Sequence, residues 1–209
     1  MVRTVKKPEI RRHEIVAAAR QLFETQSYDR TSMQDVMDQL GIAKGTIYHY
    51  FKSKDELAAA VVESSVADAF PELQRRVAAT PGTALDQLRV FIGARHLFEQ
   101  NDALLERLRQ PANLGMHTRL LASAFVQQAP LVGDLIRQGC EQGLFQTEYP
   151  LECAEFILAA VLFLSDVGLY PWTPADLARR ARAIPALIEA QLRAAPGSFQ
   201  FVAEHLPRA

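Results

Sequence analysis

Residues 31–57 read TSMQDVMDQLGIAKGTIYHYFKSKDEL, and the spacing of apolar residues in this stretch decides how the first quarter of the chain folds. Thr31 and Gln34 have capping-box spacing, so the Thr hydroxyl is expected to take an N3 amide while the Gln reaches back to the cap. Met33, Val36, Met37 and Leu40 then fall at i, i+3, i+4 and i+7, one buried face of a short helix. Gly41 supplies the left-handed residue that turns the chain, and Ile42 fills the turn. A second helix is predicted over residues 43–51. With about 100° per residue and Ile47 pointing inward, Ala43, Tyr50 and Phe51 fall within about 60° of it, and Gly45, Thr46, Tyr48 and His49 fall about 100° or more away. Glycine inside a helix costs roughly 1 kcal/mol against alanine, so its place at the outermost point suits a helix that another backbone must approach.

Beyond that helix, Ser53 and Glu56 have capping-box spacing again, and Lys54 sits in the first turn beside free backbone amides, a combination that suits phosphate. Two short helices joined at a glycine and followed by a capped third match the helix-turn-helix pattern, whose second helix enters the major groove. On that reading Thr46 meets a base edge or a thymine methyl, and Lys44, Tyr48 and His49 reach phosphates. Tyr50 and Phe51 are expected in the core. Capped amphipathic helices around a glycine also occur in bundles that bind no DNA, and the pattern alone leaves that alternative open.

Apolar residues recur at three- and four-residue spacing through the rest of the chain, and alternating β-branched runs between tight turns are missing, so an all-α fold is expected. Further helices are predicted at about residues 9–26, 54–79, 84–99, 102–109, 116–128, 131–142, 151–170 and 174–195. Thr173, Pro174 and Asp176 supply a cap, a first-turn proline and a first-turn acid, and Gly143 is expected to be a left-handed stop. Pro185 should kink or split the last helix.

The run from Gly41 to Leu57, GIAKGTIYHYFKSKDEL, resembles the signature of the tetracycline-repressor (TetR/AcrR) family, as does the upstream packing face of Ile15, Ala18, Ala19, Leu22 and Phe23. The likeness covers roughly the first sixty residues. It implies an N-terminal three-helix helix-turn-helix DNA-binding domain, residues 1–55 with a basic arm, and a C-terminal helical-bundle domain for ligand sensing and dimerisation, residues 56–209. It also implies that Thr31, Lys44, Gly45, Thr46, Tyr48, His49 and Lys54 form the DNA-facing set. Many members carry a tyrosine at the His49 position and a histidine at the Tyr50 position, the reverse of the order here.

In the body, Cys153, Phe156, Ile157, Ala160, Val161 and Leu164 make a broad apolar stripe, continued by Ile184, Leu187 and Ile188 on the last helix. Phe156, Ile157, Ala160, Val161, Leu164, Ile184 and Ile188 are therefore candidates for a homodimer interface, although a stripe does not say whose core it enters. Phe91, Arg95, Phe98, Met116, His117 and Phe125 mix large apolar and polar groups in the way a small-molecule pocket requires, and any helical core would contain a similar set. The expected partners are thus a double-stranded, palindromic operator, a second copy of the chain and a small-molecule effector, with repression released by the effector. A body that serves instead as a protein-interaction platform is the alternative.

The charge distribution agrees with a DNA-binding head. The first 54 residues hold ten Lys and Arg against six Asp and Glu, and the remaining residues bring the chain to −1. Five of the basic residues, Arg3, Lys6, Lys7, Arg11 and Arg12, fall in the first twelve positions, which suits an arm near phosphates or simply a solubilising terminus. No metal site and no cofactor are expected, because Cys140 and Cys153 lack a metal-ligand pattern and the histidines are scattered. No enzyme is expected either. His96, Glu99, His117 and Cys140 form no nucleophile elbow, phosphate loop or HExxH motif. Without a secretion signal or an apolar run of spanning length, a cytoplasmic location without membrane contact is expected.

Overall fold

The computed structural model describes residues 7–100 and 114–206, and these residues are helical with no strand among them. The helices are α1 (Pro8–Gln26), α2 (Met33–Leu40), α3 (Lys44–Tyr50), α4 (Lys54–Ala78), α5 (Ala84–Gln100), α6 (Leu114–Glu141), α7 (Pro150–Ala159, continued by a π-helical turn over Ala160–Leu164), α8 (Pro174–Leu192) and α9 (Gln200–Glu204). The helix predicted over 102–109, the basic residues Arg3 and Lys6, and the side chains of Arg95, His96, Phe98 and Glu99 lie outside the described residues.

The caps explain where the first helices begin. The capping box of α2 is formed by Ser32 and Asp35, one residue later than Thr31 and Gln34: the Ser32 hydroxyl accepts from the Asp35 amide at 3.2 Å, and the Asp35 carboxylate accepts from the Ser32 amide at 2.7 Å. Thr31 is not free to cap, because it is buried and its hydroxyl donates to the Ser27 carbonyl at 2.7 Å. The Ser32 amide and then its hydroxyl hold the Asp35 carboxyl below its ordinary range, so the cap carries a full negative charge at the positive end of α2. Gly41 ends α2 at φ 61°, in the left-handed region. At α4 only half of the expected box forms. The Ser53 hydroxyl accepts from the Glu56 amide at 3.1 Å, while the Glu56 carboxylate accepts from the Lys52 amide at 2.6 Å.

Among the described residues, packing divides into two cores. The first gathers Ile15, Ala19 and Phe23 of α1, Val36 and Met37 of α2, Ile47 of α3, Phe51, and Leu57, Val61 and Val62 of α4. The second gathers Leu73 and Val77 of α4, Leu88 and Phe91 of α5, Ile136 of α6, Leu158 and Val161 at the end of α7, Ile188 and Leu192 of α8, and Phe199 and Phe201. Helix α4 is therefore shared, its first half in one core and its second half in the other. Met116, in the first turn of α6, is a second link, since it packs into the first core with Leu120 beside it.

In the body, Pro130 does not end a helix and Pro185 does not split one. Helix α6 runs unbroken through Pro130, joining the two helices predicted at 116–128 and 131–142, and α8 continues through Pro185 rather than splitting. Each proline removes one backbone donor. The Pro185 ring is buried in the core, and that burial offsets the loss. Thr173 and Asp176 form the expected capping box of α8, and Gly143, at φ 73°, turns the chain from α6 toward α7. The amides of Leu144 and Phe145 both donate to the Gly139 carbonyl and fold the Phe145 ring back over Gly139.

That contact generates a prediction against helix propensity. A methyl at Gly139 overlaps the Phe145 ring, which is buried against Phe199 with centroids 5.6 Å apart. Gly139→Ala, a change that ordinarily stabilises a helix, is expected to destabilise this chain by about 1–3 kcal/mol in urea unfolding. An unchanged or raised midpoint would contradict the packing described.

Candidate nucleic-acid interface

Helix α3 is seven residues long, its N-cap Ala43 makes no side-chain cap, and it is held by Ile47 and Phe51, both essentially free of solvent contact. That anchorage turns Lys44, Gly45 and His49 fully outward. Thr46, Tyr48 and Tyr50 are half-buried along the flanks, so Tyr48 rests against the first core while still presenting an edge. Ala43 was expected to face inward, but as the extended N-cap residue it lies outside the helical wheel and is exposed. A β-carbon built on Gly45 has nothing within 4 Å, so the outermost point of α3 is open space.

Beside α3 lies an open groove of about 490 Å³ lined by Asp29, Arg30, Thr31, Ser32, Gln34, Lys44, Tyr48 and Lys54, with Met33 and Met37 in its floor. It brings Thr31, Lys44, Tyr48 and Lys54 of the predicted set together. Thr31 contributes from beneath the surface, at 2% exposure, with its hydroxyl spent on Ser27. The cations are held in distinct ways. The Lys54 ammonium donates to the Tyr28 carbonyl at 3.1 Å and lies 4.2 Å from the centre of that ring, and the Lys44 ammonium lies 5.8 Å from the Tyr48 ring. Lys52 donates to the Tyr48 carbonyl at 2.8 Å and so closes the C-terminal end of α3. Arg30 and Gln34, both exposed in this groove, were missed by the sequence reading, as was Lys52. Arg30 precedes the helices and Gln34 was assigned to the cap, and only their proximity to Lys44 and Lys54 reveals them.

The candidate ligand residues of the body do not converge. Phe91 is fully buried in the second core, where it lines a closed apolar void of about 20 Å³, whereas Met116 belongs to the first core. Phe125 is half-buried with its ring edge-on to Phe163 at 6.3 Å. His117 is buried, and its Nε2 pairs with an Asp166 carboxylate oxygen at 2.8 Å. The other Asp166 oxygen accepts from the amides of Gly168 and Leu169, each at 2.8 Å. Burial alone would raise the Asp166 carboxyl, but His117 and those two amides outweigh it and hold the group below the usual carboxylate range. Nδ1 of His117 and Oε1 of Gln128 are buried on α6 without a hydrogen-bond partner.

The predicted dimer stripe divides in two. Ile157, Val161, Ile184 and Ile188 point into the chain's own second core and are too buried to meet a partner, because the broad stripe wraps further around the helices than one interface needs. Phe156 and Leu164 remain outside, at 73% and 51% exposure, with Ala160 half-buried between them. Leu187 of α8 joins them at 66%. Among the described residues, no helix is long and apolar enough to cross a membrane, and no cluster of His, Cys, Asp and Glu could hold a metal ion.

Residues 15–61 match the family described as bacterial regulatory proteins, tetR family, and residues 97–186 match the tetracyclin repressor-like C-terminal domain. The uncharacterized HTH-type transcriptional regulator YfiR of Bacillus subtilis is 26% identical over 159 residues, which cover 71% of this chain and 75% of that protein. The HTH-type transcriptional repressor KstR2 of Mycobacterium tuberculosis is 25% identical over 146 residues, covering 68% and 72%. Among solved structures, a TetR-family transcriptional regulator from Pectobacterium atrosepticum superposes with a TM-score of 0.64 at 24% identity over 90% of this chain and 98% of that one. The fatty acid degradation regulator FadR from Bacillus halodurans does so with a TM-score of 0.58 at 16% identity, over 90% and 97%.

The open space at Gly45 can be tested without any nucleic acid. Because a methyl there meets nothing, Gly45→Ala is expected to leave the fold intact and to raise stability by a few tenths to about 1 kcal/mol in thermal or urea unfolding. Destabilisation would show that this face of α3 is not open.

Proposed function

We propose that this chain, which belongs to the tetR family of bacterial regulatory proteins, represses transcription as a homodimer that holds a palindromic operator and releases it when a small molecule binds the body. The family regulates transcription by binding DNA, and one observation carries the reading to particular residues. The groove beside α3 gathers the cations Arg30, Lys44 and Lys54 with Tyr48, and the exposed Gly45 and His49 lie on the outward face of the same helix with Thr46 on its flank. In this reading the cations take phosphates and fix register, while Thr46 and the Gly45 backbone approach base edges. The head is residues 1–55 and the body 56–209, with α4 as the strut they share.

One copy of so short a helix makes few base contacts, and two copies related by a two-fold axis require an operator with the same symmetry. Phe156, Ala160, Leu164 and Leu187 are the residues that the second copy covers in this account, for large apolar side chains left this exposed on adjoining helices favour burial. The effector site lies on α6. The unpartnered Nδ1 of His117 and Oε1 of Gln128 belong to residues eleven apart, about three turns, which share one face of the helix with Phe125 at its side. An effector there offers hydrogen-bonding groups along an apolar body, whereas the closed void at Phe91 is too small for one. Met116 precedes His117, so a shift of α6 on ligand binding is felt in the first core and changes the spacing of the two heads.

The reading is tested by titrating the protein into duplex DNA from upstream of its own gene, with a scrambled control, at several salt concentrations. Salt-steep binding to a palindromic stretch is expected, at least a thousand-fold tighter than to the control. Lys44→Ala should lower affinity and reduce the salt slope by about 1, while Gly45→Ala should bind at least about ten-fold more weakly despite its intact fold. Equal, weak binding to every duplex would overturn the reading. Phe156→Glu combined with Leu187→Glu is expected to give a folded monomer in sedimentation. A dimer that survives both changes would place the interface elsewhere.

A further inference from the structure

Lys54 lines the groove, and Tyr28, twenty-six residues earlier, contacts it with both its carbonyl and its ring. The Tyr28 carbonyl accepts twice, from the Thr31 amide at 3.2 Å and from the Lys54 ammonium at 3.1 Å. The ring of the same residue lies under that ammonium, 4.2 Å from it, and is itself braced edge-on by Phe23 at 5.4 Å. Its hydroxyl donates to the carboxylate of Asp55, the residue that follows Lys54 in the first turn of α4. Burial, and then this bond to Asp55, push the phenol well above its ordinary value, so it remains a donor at any working pH.

These contacts do two things that a phosphate site needs. A free lysine side chain is flexible and loses that freedom on meeting a phosphate, whereas this one is already confined by a carbonyl and a ring. Asp55, which stands beside Lys54 and could draw its charge away from an incoming phosphate, is occupied by the phenol. Tyr28 itself does not line the groove.

We propose that Tyr28 is a positioning residue for DNA binding, which holds the Lys54 ammonium and the first turn of α4 in their phosphate-facing arrangement before DNA arrives. The proposal rests on the DNA-binding reading above and assigns no DNA contact to Tyr28.

The test compares wild type, Tyr28→Leu, Tyr28→Phe, Lys54→Ala and the Tyr28→Leu/Lys54→Ala double variant on the upstream duplex across a salt series, with helix content and melting recorded for each. Tyr28→Leu is expected to weaken binding about three- to ten-fold, the range for one flexible side chain ordered only on binding. Its salt slope should stay near that of the wild type, because Lys54 still meets its phosphate once ordered, and Lys54→Ala should cost less when added to it than it costs in the wild type. Tyr28→Phe keeps the ring and should recover most of the affinity that Tyr28→Leu loses. Wild-type affinity in Tyr28→Leu, or losses that simply add in the double variant, would overturn the proposal. A wild type that binds no duplex selectively would instead overturn the DNA-binding reading. Independently of any variant's folding, NMR of the wild-type protein should show the ε-methylene protons of Lys54 shifted upfield by the ring, and unshifted protons there would refute the hold on Lys54.

Discussion

The head depends on the burial of Ile47. A seven-residue helix without a side-chain cap does not persist by itself in water, because the nucleation cost exceeds what so few hydrogen bonds return. Ile47 and, just past the helix end, Phe51 fix α3 against α1, α2 and α4, with no measurable exposure at Ile47. Once that one side is committed, the rest follows from helical geometry. Gly45 and His49 face away, Thr46 and Tyr48 flank them, and Lys44 stands at the rim. The left-handed turn at Gly41 and the Ser32–Asp35 cap set the angle at which α2 delivers the chain to that anchor.

Among the described residues, the body meets the head through α4 and through the first turn of α6. The first half of α4 belongs to the head's core and its second half to the body's, and the first turn of α6 inserts Met116 beside the same α4 residues. The residue after Met116 is His117, tied to Asp166 in the segment between α7 and α8, close to the exposed apolar residues Leu164 and Val167. Two consecutive residues of α6 thus contact the head's core and the segment leading to α8. Packed interiors resist continuous deformation, so such a connection favours discrete arrangements over gradual ones.

Much of the head could be read from sequence because its determinants are local. The stripe of Met33, Val36 and Met37, the turn at Gly41 and the inward Ile47 each follow from periodicity within a few residues. The capping register did not, since Thr31 and Ser32 offer adjacent hydroxyls and the choice was made by a bond from Thr31 to Ser27 that no local pattern announces. Ala43 was misplaced because a wheel treats an N-cap as helical. In the body, periodicity gives a face but not its owner, so Ile157, Val161, Ile184 and Ile188 were grouped with Phe156 and Leu164 although the chain buries the first four itself. Arg30, Tyr28 and the His117–Asp166 pair escaped for a single reason. Each acts with residues distant in sequence, and only folding brings them together.

If the outward face of α3 and its adjoining groove meet DNA, an operator must act on them directly. Amide chemical shifts of the isotope-labelled protein, followed during titration with its operator duplex and with a scrambled duplex at the same salt, test this most directly. The operator is expected to perturb residues 30–34, 44–46, 48, 49 and 54 strongly and specifically, while the buried Ile47 and the second core respond weakly. Perturbations centred on the body, or a head that responds identically to both duplexes, would contradict it.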